Sequence, residues 1–390
     1  MKITDITTTL VFADWRNWTF IRIFTDEGFV GLGEATIRAR EHAVASAVED
    51  MSRVLIGMDP RQIQSHWQML YRDFHNRGGV ILMSALSGIE IALWDILGQY
   101  MNVPIHALLG GDLRESAWAY TNGWFLDARD PERLGCLAQA AVQKGFTALK
   151  WNPFYGAMEG WMSPLARRQA VAQVRGVRQA VGEDVELLLE AHGIFTPVIA
   201  LQMADDLSAY RPFWIEEPCP PEDIQAMAHI RENSPIPVAT GERLYGKYEF
   251  ANLVERRAAD IVQPDVQHAG GIFETRLIAG MAEARYMSFA PHNSSSPVGT
   301  AASLQVDACT PNFLIQELPT DDVPWRDEIV DPSVEAIHNG KLTIPSAPGL
   351  GVRLNEKIAA QHPYQPADVS SVVITPDSER LARRLMNKTS

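Results

Sequence analysis

Three glutamates recur at equal spacing in the middle of the chain. Glu190, Glu216 and Glu242 stand 26 residues apart, and each lies at the end of a short apolar run: VELLLEAH (185–192), FWIEE (213–217) and IPVATGE (236–242). Three carboxylates brought to one point repel each other and take up protons unless a cation lies among them. An all-oxygen ligand set selects a hard ion, Mg²⁺ first and Mn²⁺ second. The absence of cysteine or histidine from the three positions argues against zinc. A lone glutamate at a strand end is more often a solvated or capping group, but three at one interval are poorly explained that way. Register with its strand makes Glu216 the inward ligand and leaves Glu217 for a structural ion pair. Other polar groups end neighbouring apolar runs in the same manner: Lys150 in TALKW (147–151), His192 beside Glu190, Asp265 in ADIVQPD (259–265), His292 in YMSFAPH (286–292) and Glu317 in NFLIQE (312–317).

The elements that must position these groups follow from the same runs. With SAWAYTN (116–122) they make eight strand candidates, apolar and mostly uninterrupted, as parallel strands buried on both faces are. Amphipathic stretches such as PERLGCLAQAAVQKG and RRQAVAQVRGVRQAVG lie between them. Eight strands with intervening helices over about 200 residues predict a (β/α) barrel, whose working residues gather at the C-terminal ends of the strands. The start of the chain reads differently. Strands over 3–11 and 18–25, a connecting loop over 12–17, a turn at 26–28 and a third strand over 29–33 precede helices at roughly 41–56, 61–75 and 81–101. The expected organisation is an α+β capping domain over 1–115, the barrel over 116–320, and a C-terminal segment over 321–390 that partly completes the cap. That segment holds a return strand within 341–357 and a loosely packed end over 367–390.

Composition bounds the function classes. The chain has 390 residues, 46 % hydrophobic and 21 % charged, enough for a large core, and a formal net charge of −14. That balance argues against a nucleic-acid partner, since no basic surplus is present to meet phosphates. An anionic substrate stays open, because a bound divalent cation reverses the local field. Cys136, Cys219 and Cys309 read as buried thiols rather than a disulfide framework. The N-terminus has no apolar core of signal-peptide length, and no stretch is expected to span a bilayer, so a cytoplasmic location is the default expectation.

Taken together, ALSGIEIALWDILG, LLLEAHG, WIEEP, ATGER, VQPDVQHAGG, FAPHNSSSPVGTAASLQVD, IQE and PGLGV cover nearly the whole chain. The chain resembles the enolase superfamily, in its mandelate racemase-like subgroup, and within it the acid-sugar dehydratases of the galactonate dehydratase type, through Glu190-Ala191-His192 and Lys150-Trp151-Asn152. The resemblance implies a modified TIM-like barrel, (β/α)7β, under an α+β cap, with Mg²⁺ on Glu190, Glu216 and Glu242. It implies a sugar-acid substrate, loss of the C2 proton to an enediolate, expulsion of the 3-hydroxyl and release of a 2-keto-3-deoxy acid by a homo-oligomeric enzyme. Two departures stand out. Asn152 occupies the position of a second lysine in the racemases, which leaves two histidines as the acid–base pair, and Glu190 stands where aspartate is commoner. On this reading His292 is the general base, Asp265 orients its ring, and His192 is the general acid.

Glu317 is expected to hydrogen-bond the substrate carboxylate, which requires a raised pKa, and Lys150 and Asn152 to contact the substrate. A bland alternative for Lys150 is an ion pair with a ligand carboxylate. Trp15, Arg16 and Trp18, with Arg77-Gly78-Gly79, are expected to close over the barrel mouth. His229, His268 and His338 read as ordinary histidines, and Trp94 and Asp95 as packing and capping groups. Racemisation, epimerisation and cycloisomerisation begin with the same proton abstraction and compete with dehydration. A non-catalytic binding protein on the same scaffold ranks below them, because every ligand and both histidines are present.

Overall fold

The computed structural model describes residues 1–366 apart from 73, 74, 159 and 321, with Met158 placed by its backbone alone. The expectation of a loosely packed end over 367–390 lies outside the described residues. The chain opens with strands β1 (Ile3–Ala13) and β2 (Arg16–Thr25), paired antiparallel with Ala13 opposite Arg16. The connection is therefore the two-residue turn Asp14–Trp15, not a six-residue loop. Asp14 supplies the left-handed backbone (φ 60°) that so tight a hairpin needs. Strand β3 (Val30–Glu34) pairs with β2, and helices α1 (Glu41–Leu55), α2 (Ile63–Arg72) and α3 (Val80–Met101) follow. Helix α3 lies directly against β3, because a side chain at Gly31 or Gly33 would overlap the carbonyls of Ala92 and Gly88.

Contrary to the sequence expectation, α3 is long and apolar enough to cross a membrane, by length and composition alone. Here it is a core helix: every residue from Met83 to Ile96 is buried, Glu90 and Asp95 included. These two acids are satisfied within the protein. Asp95 accepts the N–H groups of Leu32 (2.9 Å) and Leu350 (2.8 Å), and Trp94 donates to Glu90 (2.7 Å), so both members of the Trp94–Asp95 pair are structural as expected.

The barrel strands are β4 (Ser116–Asn122), β5 (Ala148–Trp151), β6 (Glu186–Glu190), β7 (Trp214–Glu216), β8 (Val238–Thr240), β9 (Ile261–Val262), β10 (Ser288–Phe289) and β11 (Gln316–Pro319). Each pairs in parallel with the next through β10, and β11 pairs with β4. The ring closes where Leu314 donates to the Phe289 carbonyl (2.8 Å) and Phe289 to that of Asn312 (2.9 Å). Helices α4 (Pro131–Gln143), α5 (Pro164–Val181), α6 (Pro197–Ser208), α7 (Ile224–Asn233), α8 (Lys247–Glu255), α9 (Ile272–Glu283) and α10 (Pro297–Ala308) follow the first seven strands, which gives the (β/α)7β form. Strand β12 (Lys341–Thr343) returns antiparallel on β4, as 341–357 foreshadows.

Tyr120, Ala148, Leu188, Trp214, Ala239, Ile261, Ala290 and Ile315 form a separate apolar cluster inside the ring, one residue from each strand or its extension. This layer is the floor on which the polar groups stand. Cys219 and Cys309 are buried, but Cys136 is exposed on α4, which corrects the reading of three buried thiols; all three are free.

The first hundred residues are fastened to the barrel by two carboxylates. Glu90 of α3 accepts the N–H groups of Ile272 (2.7 Å) and Phe273 (3.0 Å) at the start of α9, where the cap residue Gly271 offers no side chain. Glu34, at the end of β3, accepts those of Ser296 (3.1 Å) and Gly299 (2.9 Å) at the start of α10. Each places an acid at the positive end of a helix.

Candidate active site

The strand ends bring Glu190, Glu216 and Glu242 together, with one carboxylate oxygen of each within 4.8 Å of the others. Glu190 and Glu216 are the last residues of β6 and β7. Glu242 lies two residues past β8, beyond Gly241, and Asp265 and His292 lie three past β9 and β10. The strands are shorter than the apolar runs because the chain leaves the ladder before these groups. Two turns beyond the ladder use left-handed backbone at non-glycine residues, His192 (φ 49°) and Glu217 (φ 41°), a conformation that concentrates at functional sites. The turn at His192 folds its N–H back onto Glu190 Oε1 (2.6 Å).

Lys150 is buried in the cluster, its ammonium 2.7 Å from Glu216, 2.8 Å from Glu317 and 3.6 Å from Glu190. Trp214 donates to the other Glu216 oxygen (3.0 Å). Glu217 turns away to Arg243 (2.8 Å), the structural ion pair expected for it. His292 Nδ1 meets Asp265 Oδ2 at 2.7 Å, and its Nε2 lies 3.4 Å from Glu242 and 3.9 Å from Glu317. The backbone N–H of Gln267 holds the second Asp265 oxygen (2.7 Å). His192 lies beside Asn152 (3.3 Å). Since His192 follows the third barrel strand and His292 the seventh, the two face each other across the ring.

The charges do not balance. Burial, then the charge of Glu242, raises Glu190 to about 7; burial and Glu190 raise Glu216. Burial opposes ionisation of Glu242, but His292, His192 and Lys150 outweigh it and bring it to about 2. Burial likewise opposes protonation of His292, yet Glu242, Glu317 and Asp265 lift it to about 10. Glu190 Oε2 is buried with no hydrogen-bond partner. An all-oxygen triangle, with Glu190 and Glu216 buried and Glu242 half-buried, an orphaned acceptor and carboxylates held partly protonated, fits a small divalent cation.

Several expectations need correction. Trp18 is fully buried, edge-on to Trp325 with ring centroids 5.3 Å apart, since its position on β2 faces the core. Arg16 is 2 % exposed and spent on Asp322 (2.8 Å) and the Ser294 carbonyl, so neither it nor Trp18 reaches a substrate. Arg77 is exposed over the ring of Tyr71 and lines a groove with Ala47, Met51 and Leu82 that includes none of Glu190, Glu216, Glu242 and Glu317. Trp15 is 40 % exposed at the hairpin turn, between the guanidinium groups of Arg16 (4.1 Å) and Arg38 (4.9 Å). Glu317 is held below the usual carboxylate range: burial opposes this, but Lys150 and His292 prevail. That direction runs against the raised pKa expected for a donor to the substrate carboxylate. Lys150 takes the bland alternative, an ion pair. Asn122, which donates to Glu317 (3.0 Å), and Trp214 were missed. Asn122 ends SAWAYTN, and Trp214 stands two before Glu216 on the same strand face, so strand ends and period-two alternation carry both signals.

Comparison with known proteins agrees with this geometry. A family model for the mandelate racemase / muconate lactonizing enzyme N-terminal domain matches residues 6–110, and one for the enolase C-terminal domain-like family matches 134–358. A D-galactonate dehydratase of Ralstonia nicotianae is 37 % identical over 368 residues, covering 93 % of this chain and 94 % of the relative. One of Klebsiella pneumoniae is 40 % identical over 322 residues, 81 % of each. The crystal structure of a mandelate racemase/muconate lactonizing enzyme from Sulfitobacter sp. superposes with a TM-score of 0.87 at 35 % identity, covering 94 % of this chain and 96 % of that one. Matched along both halves, with the glutamate triangle and histidines at its strand ends, the chain is an enzyme of the mandelate racemase / muconate lactonizing enzyme family, within the enolase superfamily.

Proposed function

We propose that this enzyme is a Mg²⁺-dependent dehydratase of a sugar acid, an aldonate such as galactonate or a related hexonate or pentonate, and that it forms a 2-keto-3-deoxy acid through an enediolate. The observation that carries the reading is a pair of histidines after opposite strands of the ring, the third and the seventh, beside the glutamate triangle, one backed by Asp265. The names of the relatives, D-galactonate dehydratase and D-gluconate dehydratase, support the substrate class.

Glu190, Glu216 and Glu242 would hold the cation, which supplies Lewis acidity toward the substrate carboxylate and 2-hydroxyl and stabilises negative charge as the C2 proton leaves. His292 takes that proton. Asp265 accepts from Nδ1, which sets the tautomer and leaves Nε2 free to receive the proton. The carboxylates that lift His292 to about 10 would keep it charged; neutralising Glu242 brings it down toward the range where it acts as a base near neutral pH. His192 protonates the departing 3-hydroxyl from the far side, with Asn152 holding its ring. Lys150 compensates Glu216 and Glu317 and adds positive charge beneath the intermediate. Trp15 at the hairpin turn lines the opening. A cytoplasmic, homo-oligomeric enzyme is part of the proposal, on family resemblance.

Incubation of the enzyme with Mg²⁺ and a library of hexonates, pentonates and aldarates tests it. A 2-keto-3-deoxy product, detected by its semicarbazone absorbance, is the expected result. Recovery of an epimer or a lactone with no keto acid would move the protein to the racemase or cycloisomerase reading.

A further inference from the structure

The segment that carries His292 is held from outside the barrel. Strand β10 ends at Phe289, so His292 lies three residues beyond the ladder with only an isolated bridge to Asp265. The next residues are then gripped one after another. Asn293 donates its N–H to Glu317 (3.0 Å). The Ser294 carbonyl accepts from Arg16, that of Ser295 from Arg326 (2.7 Å), and the N–H of Ser296 donates to Glu34 (3.1 Å). Arg16 comes from β2, Glu34 from β3 and Arg326 from the segment after the last barrel strand.

The two arginines are not independent. Arg16 and Arg326 share one oxygen of Asp322, at 2.8 and 2.6 Å. Arg326 also pairs with Glu335 (2.6 Å), which accepts from Thr300 (2.6 Å), and Thr300 in turn accepts from the Asn293 side chain (2.8 Å). Arg16, Arg326, Glu34, Asn293, Ser295 and Ser296 are all buried. Ionic groups at this depth are costly to desolvate, and well-packed apolar residues would serve stability as well. What they supply that apolar groups do not is directional hold on three successive peptide units.

We propose that Arg16 is a positioning residue for His292, acting with Arg326 and Glu34 through the main chain of residues 294–296. The first hundred residues thereby set the geometry of proton abstraction as well as the shape of the opening. The inference rests on the dehydratase reading for its kinetic arm, so the test has a second arm that does not. Three variants, Arg16→Met, Arg16→Lys and Glu34→Gln, are compared with the wild type in steady-state kinetics with the sugar acid that the wild type turns over. Amide hydrogen exchange is followed by mass spectrometry across the whole chain. Misplacing a reacting group by about 1 Å costs on the order of 100-fold. Arg16→Met should therefore lose about 10- to 100-fold in kcat with KM within about 2-fold, and Arg16→Lys, which keeps a donor, should recover part of the loss. Exchange should quicken in the peptide spanning 291–300 and stay unchanged in β6 and β7. A raised KM at unchanged kcat would overturn the proposal in favour of direct substrate contact. So would unaltered exchange over 291–300. If Arg16→Met does not fold, Arg16→Lys and Glu34→Gln read the same quantities. If no sugar acid is turned over by the wild type, the functional reading fails and the exchange pattern alone decides this one.

Discussion

Replacing Lys150 by methionine separates the two cations that the carboxylate cluster can use. The ammonium lies 2.7 and 2.8 Å from Glu216 and Glu317 and 3.6 Å from Glu190. At an effective dielectric of about 20 each short contact is worth roughly 6 kcal/mol of gross attraction. Desolvation of the partners consumes much of that, and loss of one member of a buried pair costs about 3–5 kcal/mol net. An unfolding entropy of about 2.1 cal/mol/K per residue over 390 residues gives about 0.8 kcal/mol/K. In chelator, Lys150→Met should then melt about 4–6 °C below the wild type. Saturating Mg²⁺ places positive charge back among the same carboxylates, so the metal-induced rise in Tm should be larger in the variant than in the wild type. Scanning calorimetry with EDTA and with Mg²⁺ measures both. A variant as stable as the wild type in EDTA, or equal metal-induced shifts in the two proteins, would refute the argument that Lys150 and the metal compensate one pool of charge.

Metal binding should release protons. Glu190 is held at about 7 and Glu216 is also raised, so Mg²⁺ affinity should climb as pH rises through about 7; titration calorimetry in two buffers of different ionisation heat would show no proton release if the triangle is not the site. The same shift fixes the sign of the metal-free stability: Glu190's folded pKa lies above its unfolded value near 4.5, so its contribution is full below that pH and is lost as pH rises through about 7. Asp265→Asn should cut kcat about 100- to 10,000-fold through the wrong His292 tautomer while Mg²⁺ affinity holds, and unchanged turnover would remove Asp265 from the mechanism. His292→Asn should abolish both dehydration and exchange of the C2 proton with deuterated solvent, whereas His192→Asn should block dehydration and retain slow exchange; the reverse pattern would interchange the two roles.

The barrel and its polar strand ends were legible because two regularities coincide, apolar runs that end in a polar group and a near-constant strand–helix unit. Glu190, Glu216 and Glu242 needed no more than that. The cap was harder. Residues 12–17 read as a loop because Asp14, Arg16 and Asn17 are polar, yet Arg16 and Asn17 continue the ladder and are buried. Their polarity is spent on Asp322 and on the Gln365 carbonyl (2.8 Å), more than three hundred residues away, partners no local pattern reveals. Glu317 was found by position, but the direction of its shift was not legible, since it depends on Lys150, contributed by another strand. Helix α3 hid its depth in a different way. Its apolar faces announced burial, but Glu90 and Asp95 make sense only once the backbone N–H groups they accept are in view.

Glu34 and Glu90 also bear on how the chain is made. Their partners lie 262 and 182 residues further along, so during synthesis both acids leave the ribosome long before Ser296 and Ile272 exist. Until α9 and α10 form, Glu90 and Glu34 have Trp94 and Thr36 as donors within the head but lack the barrel's backbone N–H groups, and the head cannot settle into its final packing early. Completion of the head therefore waits on the sixth and seventh repeats, which makes it a late event governed by distant contacts. By the same logic, heads exchanged between relatives would need to bring acids that match the helix starts of the recipient barrel.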